Sequence, residues 1–241
     1  MESLEVWNGT LKAAMNLPLV KVDRESFLRE NLRNYCPAEK LEGAISDPVT
    51  ALGKETINKI AEGCVSSHTL KVTATSALAG FPGGLAMIGT VPADVVQYYG
   101  HVLCLSQKLA YLYGYPSILT EDGKVDDGTI AMLTLFVGVA IGNVAATQAL
   151  QKLSKELAIQ VAIRLPKEAL TKYALYGVAK KVGKWVGISV TKASAGRTVS
   201  KVIPFIGAVF SGGLTYAMFK PMANKMRKHF ENTAILRISH Q

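Results

Sequence analysis

Cysteine is scarce in this sequence, and recognisable catalytic signatures are missing altogether. Three cysteines in 241 residues, Cys36, Cys64 and Cys104, stand far apart with no C-x-x-C pair. An odd, dispersed set argues against a disulfide framework or a thiolate zinc site and fits a reducing compartment. Charged residues make up only 19% and aromatic residues 7% of the chain. Mean hydropathy is +0.22. A disordered chain would be charge-rich and poor in apolar residues, so disorder is excluded. The 21 glycines and 9 prolines show no period, which excludes a collagen-like or low-complexity class. The sequence has no G-x-S-x-G, no H-E-x-x-H, no Walker A and no G-x-G-x-x-G after a strand. The residues from Met1 to Trp7 form neither a basic nor an apolar signal region, and the expectation is a cytoplasmic protein.

Strand signals are also lacking, because period-two alternation never persists over six residues. Helical signals dominate instead. Glu2 to Met15, Asp23 to Arg33 and Pro37 to Ile45 read as short helices. Asp47-Pro48 combines a cap with proline at the first helical position. After it Val49, Leu52, Ile57, Ile60, Ala61, Cys64 and Val65 form one apolar stripe. Pro92 opens a helix that Gly114 and Pro116 close. Pro166, Pro204 and Pro221 are expected to start three more. The reading is an all-α single helical bundle with Gly-rich apolar central helices.

Three stretches, residues 72–93, 128–151 and 202–219, hold no charged residue, and each reaches the length of a membrane span. The first is broken by Gly80, Pro82, Gly83 and Gly84. The second contains Gly138 and Gly142, a G-x-x-x-G that permits close helix approach, but its polar residues shorten the apolar part. A helix apolar on all sides is a core helix or a membrane helix, and pattern alone does not separate them. Core helices are the preferred reading. An integral membrane protein spanning through 128–151 and 202–219 is the alternative.

The chemistry-bearing residues are few. His101 follows Asp94 by seven residues and lies three or four beyond Tyr98 and Gln97, so these groups share one side of a helix. Such an imidazole can act as a base, which makes Asp94 and His101 candidate catalytic residues for a hydrolase-type enzyme. Against this, Asp94 suits a helix N-terminus, and the stripe continues to Lys108 as a solvated face would. Glu121, Asp122, Asp126 and Asp127 lack the spacing of a calcium loop and read as a solvated acidic loop capping the next helix. No metal or cofactor is expected.

Charge is unevenly placed. Residues 1–150 carry 11 Lys/Arg against 15 Asp/Glu, a net of −4, whereas residues 151–241 carry 16 against 3, a net of +13. Such a basic half points to an anionic partner. Its candidate binding residues are Lys180, Lys181, Lys184 and Trp185, then Lys225, Arg227 and Lys228. A basic helix with an aromatic and an apolar face can lie on an anionic bilayer. Nucleic acid is not expected, because no aromatics are interleaved with the basic residues for base stacking.

The segments Gly80-Phe-Pro-Gly-Gly84, Ile88-Gly-Thr-Val-Pro-Ala-Asp94 and Lys108-Leu-Ala-Tyr-Leu-Tyr-Gly114 resemble the bacterial EcsC protein family. The motif positions are Gly80, Pro82, Gly83, Pro92, Ala93, Asp94, Tyr113 and Gly114. The resemblance implies a bacterial cytoplasmic or membrane-associated protein and supplies no catalytic residue. It divides the chain into an N-terminal helical extension, residues 1–44, packed on an EcsC-like helical domain, residues 45–241. The functional expectation is a non-enzymatic protein docking on an anionic membrane surface or a membrane-protein partner through its basic C-terminal half. Its finer localisation would be peripheral, at the inner face of the membrane.

Overall fold

The computed structural model describes residues 2–79, 87–88, 91–159, 174–194 and 212–235. The described residues form an all-α bundle whose strand content is one two-residue antiparallel pair, β1 (Met87–Ile88) and β2 (Val91–Pro92). The helices are α1 (Ser3–Met15), α2 (Arg24–Leu32), α3 (Leu41–Ser46), α4 (Pro48–Ala79), α5 (Ala93–Leu112), α6 (Asp127–Ala140), α7 (Val144–Ile159), α8 (Leu175–Ser194) and α9 (Gly212–Asn232). A 3₁₀ turn at Ala38–Lys40 leads into α3.

Local signals explain most of the starts and stops. Asp23 caps α2 by accepting from the Ser26 N–H at 2.8 Å. Asp126 caps α6 by accepting from the Thr129 N–H at 2.8 Å, so the acidic loop does begin the next helix. Gly53, at φ 77°, kinks α4 after its first turn. Two expectations are corrected. Pro221 starts nothing and lies inside α9. It is tolerated there because Pro221 and Ala217, whose carbonyl loses its N–H partner, are both exposed to water. Pro92 belongs to β2, and the helix opens one residue later at Ala93. The starts expected at Pro166 and Pro204 lie outside the described residues.

The bundle centres on α6. Every residue from Gly128 to Ala140 except Ile130 is buried, with α5, α7, α8 and α9 packed around it. An all-round apolar helix therefore meets protein on every side. The stretch 128–151 is not a membrane span. Gly142 adopts φ 83° and the chain turns there, so α6 and α7 are separate helices. Among the described residues no helix is long and apolar enough to cross a membrane. Residues 202–211 of the other candidate span lie outside the described residues. The two glycines of the G-x-x-x-G do different work. A Cβ on Gly138 would stand 2.6 Å from that of Ala146, whereas Gly142 supplies the left-handed stop.

α1 is held against α8 and α5. It buries Val6, Trp7, Leu11, Ala14 and Met15 along one face. The Trp7 indole, fully buried, donates to Thr134 Oγ1 of α6 at 2.9 Å. The close approach depends on α8 glycines. A Cβ on Gly183 would lie 2.8 Å from Leu4 Cδ1 and Trp7 Cδ1, and one on Gly187 would collide with the Ser3 carbonyl.

The motif pair Tyr113–Gly114 ties the end of α5 to the C-terminal helix. Gly114 has φ 91°, and a Cβ there would stand 2.8 Å from the Ile235 carbonyl oxygen. The Ile235 N–H donates to the Tyr113 carbonyl at 2.9 Å. Buried Tyr113 donates its hydroxyl to Asn58 Oδ1 at 2.7 Å, and Asn58 donates on to Glu231 at 2.8 Å. Arg227 completes the network by pairing with Glu231 at 3.1 Å and Glu62 at 3.4 Å.

Two predictions follow from this packing. Gly187→Ala is expected to cost about 1–3 kcal/mol in chemical denaturation, as overpacking does. Gly63→Ala, where a Cβ would meet nothing within 4 Å, is expected to gain up to about 1 kcal/mol. A gain at both positions would contradict the close α1–α8 contact. Tyr113→Phe strands Asn58 Oδ1 and is expected to cost about 1–3 kcal/mol; an unchanged midpoint would show the network to be energetically idle.

Candidate functional site

His101 does not stand on an open face. It lines a cleft of about 1050 Å³ between α5, α4, α2 and the segment that joins α1 to α2. Along α5 the lining residues Gln97, His101, Cys104 and Lys108 recur at steps of four, three and four, which is one helical stripe. From α4 come His68 and Lys71, and from α2 come Phe27 and Glu30. The joining segment is pinned by buried Gln107. Its amide donates to the Val20 carbonyl at 3.0 Å, and its Oε1 accepts from the Val22 N–H at 3.2 Å. Gly100 lets that segment close in, since a Cβ there would meet Leu17 and Val20 side chains at 3.1 and 3.2 Å. Leu19, at the cleft, has φ 65° and is 91% exposed.

The expected grouping of His101 is therefore corrected. Tyr98 points into the core, where its hydroxyl meets Met222 Sδ at 3.5 Å. His101 instead meets His68 ring to ring, edge-on, with centroids 5.8 Å apart. Asp94 is the second residue of α5, and its side chain lies outside the described residues. Lys108 is not on a solvated face. It is half-buried, with Nζ 3.3 Å from His68 Nε2 and 5.7 Å above the Phe27 ring.

The electrostatics oppose acid–base and nucleophilic chemistry. Burial, followed by the nearby Lys108, His101 and Lys71 charges, pushes the His68 imidazole down to about 3. Burial and then Lys71 and Lys108 lower that of His101. Cys104 Sγ lies 3.8 Å from His68 Nε2, but burial raises the Cys104 thiol and lifts Cys64 to about 11. A thiolate–imidazolium pair would need both shifts reversed. What the cleft offers is two imidazoles beside an ammonium group.

The basic residues divide into two groups. Lys180, Lys181 and Lys184 are exposed on α8, while Trp185 beside them is half-buried against the core. Lys228 is exposed on α9. Lys225 is also exposed, but its Nζ lies 3.1 Å from where a Gly142 Cβ would be, over the carbonyl end of α6. Arg227 is not a surface-binding residue. Its side chain is 11% exposed and committed to Glu62 and Glu231.

No family model matches the chain. Neither the curated proteins nor the solved structures give a match. Of the EcsC-like motif positions, Gly80, Pro82 and Gly83 lie outside the described residues. Ala93 lines the cleft, and Tyr113 and Gly114 close the bundle as described above.

His68 was not singled out from the sequence, although the signal was present. Continuing the α4 stripe from Ile57 through Val65 lands on His68 and Val72, both buried, and a histidine at a core register is conspicuous. Gln107 gave no such signal, because its partners are 85 and 87 residues away.

His68 and His229 generate a pH prediction. Burial holds His229 down to about 4, and both rings stay neutral in the fold, whereas an unfolded histidine protonates near 6.5. Below that pH the unfolded chain binds more protons. Stability present above about pH 6.5 is thus lost as pH falls, at up to about 1.4 kcal/mol per pH unit per histidine. Tm is expected to be flat from pH 8 to 7 and to fall by roughly 3–5 °C per unit per histidine below 6. A Tm unchanged down to pH 4.5 would mean that both rings titrate normally in the fold.

Proposed function

We propose that this is a non-enzymatic, EcsC-like protein that docks peripherally on an anionic membrane surface through α8. One observation carries the reading. Lys180, Lys181 and Lys184 are exposed, and among the described residues none of them has an ion-pair partner. Four acids of the first half are engaged elsewhere: Glu25 and Glu42 pair with Arg29, Asp122 with Lys124, and Glu62 with Arg227.

The helix itself suits the task. α8 contains no Asp or Glu. Its inner face buries Leu175, Ala179, Val182, Val186 and Val190, and its outer stripe runs through Lys180, Lys181, Lys184, Ile188 and Thr191. Ile188 is 45% exposed, leaving an apolar group beside the lysines for the headgroup boundary. Each lysine near an anionic leaflet contributes about 1 kcal/mol, and salt screens it. With its apolar face already committed to the core, α8 would lie on the bilayer rather than cross it. The membrane is preferred to a membrane-protein partner because lysines spaced along a helix match a field of headgroups better than one complementary patch.

Vesicle co-sedimentation tests this. Binding is expected to vesicles of phosphatidylglycerol and phosphatidylcholine, but not to phosphatidylcholine alone, and to be lost in high salt. The K180E/K181E/K184E variant is expected to bind about a hundredfold more weakly. Equal binding to neutral vesicles, or a variant that pellets like the parent, would overturn the reading.

A further inference from the structure

We propose that the cleft between α4, α5 and the segment joining α1 to α2 binds a small amphipathic anion. Its carboxylate or phosphate head would be held by Lys108, His68 and His101, and its apolar body would lie along Leu17, Leu19 and Phe27. This is independent of docking through α8, which is built from other residues.

Three features of the cleft converge on this ligand. The first is a stranded donor. Lys108 is an ammonium and can only donate, so His68 Nε2, 3.3 Å away, accepts. The proton of the neutral ring must then sit on Nδ1. That atom is buried and has no partner among the described residues, in a side chain only 4% exposed. A buried N–H without an acceptor is costly, and a small turn of the ring that brought it to a ligand oxygen in the cleft would relieve it.

The second feature is the sign of the charge. Lys108 is half-buried and, among the described residues, has no carboxylate within ion-pair distance. Its neighbours are an imidazole and a phenyl ring. Lys71 lines the same wall. The lining carboxylates, Asp23 and Glu30, are exposed, and Asp23 already caps α2. A metal cation would face two ammonium groups beside His68, His101 and Cys104, and no cluster of potential metal ligands occurs among the described residues. The inner wall thus favours an anion.

The third feature is the opposite wall. Leu17, Val20 and Phe27 line it, and Leu19 stands 91% exposed at the cleft. Its left-handed backbone, φ 65°, is one that leucine rarely adopts. A volume of about 1050 Å³ is at the upper end of the range for small-molecule sites, so head and body both have room.

The test uses decanoate and octyl phosphate below their micelle thresholds, with inorganic phosphate and octanol as partial ligands. Isothermal titration is expected to show saturable one-to-one binding of decanoate, octyl phosphate or both, whichever head the site prefers. Inorganic phosphate and octanol should each bind at least tenfold more weakly. In the imidazole NMR spectrum the Cε1–H resonances of His68 and His101 should shift on titration while that of His229, on α9, stays still. Lys108→Met is expected to weaken binding at least about tenfold. Because the resonances are read on the unaltered protein, the test does not depend on that variant folding. Binding by neither amphiphile, equal binding of octanol or of inorganic phosphate, or saturation without movement of His68 and His101 would each overturn the proposal.

Discussion

The burial of α6 is the constraint on which the other elements depend. From Gly128 to Ala140 it carries no charge and touches α5, α7, α8 and α9. Such a helix can be kept from water only if its neighbours fill every side, and each neighbour must bring an apolar stripe of its own. Gly138 sets how near α7 and α8 come by leaving the space a side chain would occupy. Trp7 then places α1, since its indole must find an acceptor in a dry interior and Thr134 of α6 provides one. The position of α8 follows from both contacts, which is why its lysines have one outward direction.

The cleft is a by-product of the same geometry with different chemistry. The chain leaving α1 crosses α5 before α2 begins, and Gln107 fastens it there. This crossing walls off the stripe that ends at Lys108. On an unobstructed helix His101 and Lys108 would be hydrated and His68 would sit against solvent. Enclosure lowers the basicity of the two imidazoles and raises the pKa of the neighbouring thiols.

Much of the architecture was legible because its signals are local. Asp23, Asp47 and Asp126 mark helix starts through a side chain that reaches three residues ahead. The stripe from Val49 to Val65 needs only its own spacing. Errors arose where one residue type serves two purposes. Gly142 belongs to a close-approach motif by spacing but acts as a left-handed stop. Pro221 looks like a helix start, but the exposed carbonyl at Ala217 makes a mid-helix proline bearable. Spacing puts His101 with Tyr98 and Lys108 on one face and says nothing of what crosses that face. The wall that turns the stripe into a cleft comes from residues 17–30, seventy or more positions away. Arg227 likewise belongs to a basic cluster by sequence, but its partner Glu62 lies on a helix distant in the chain.

The union of α1 with α8 has a consequence for how the protein comes into being. On the ribosome α1 is made long before α8, and the groove that receives Trp7 and Ser3 is completed only when Gly183 and Gly187 have emerged. For about 180 residues of synthesis its apolar face lacks the α8 side of that groove and has only α5 and α6 to meet. Ile235, bonded to Tyr113, docks on the end of α5 later still. Closure over such sequence separations slows folding and lengthens the exposure of nascent apolar surface. A nascent chain released before α8 would carry a partly unsheltered tryptophan face toward aggregation or a chaperone.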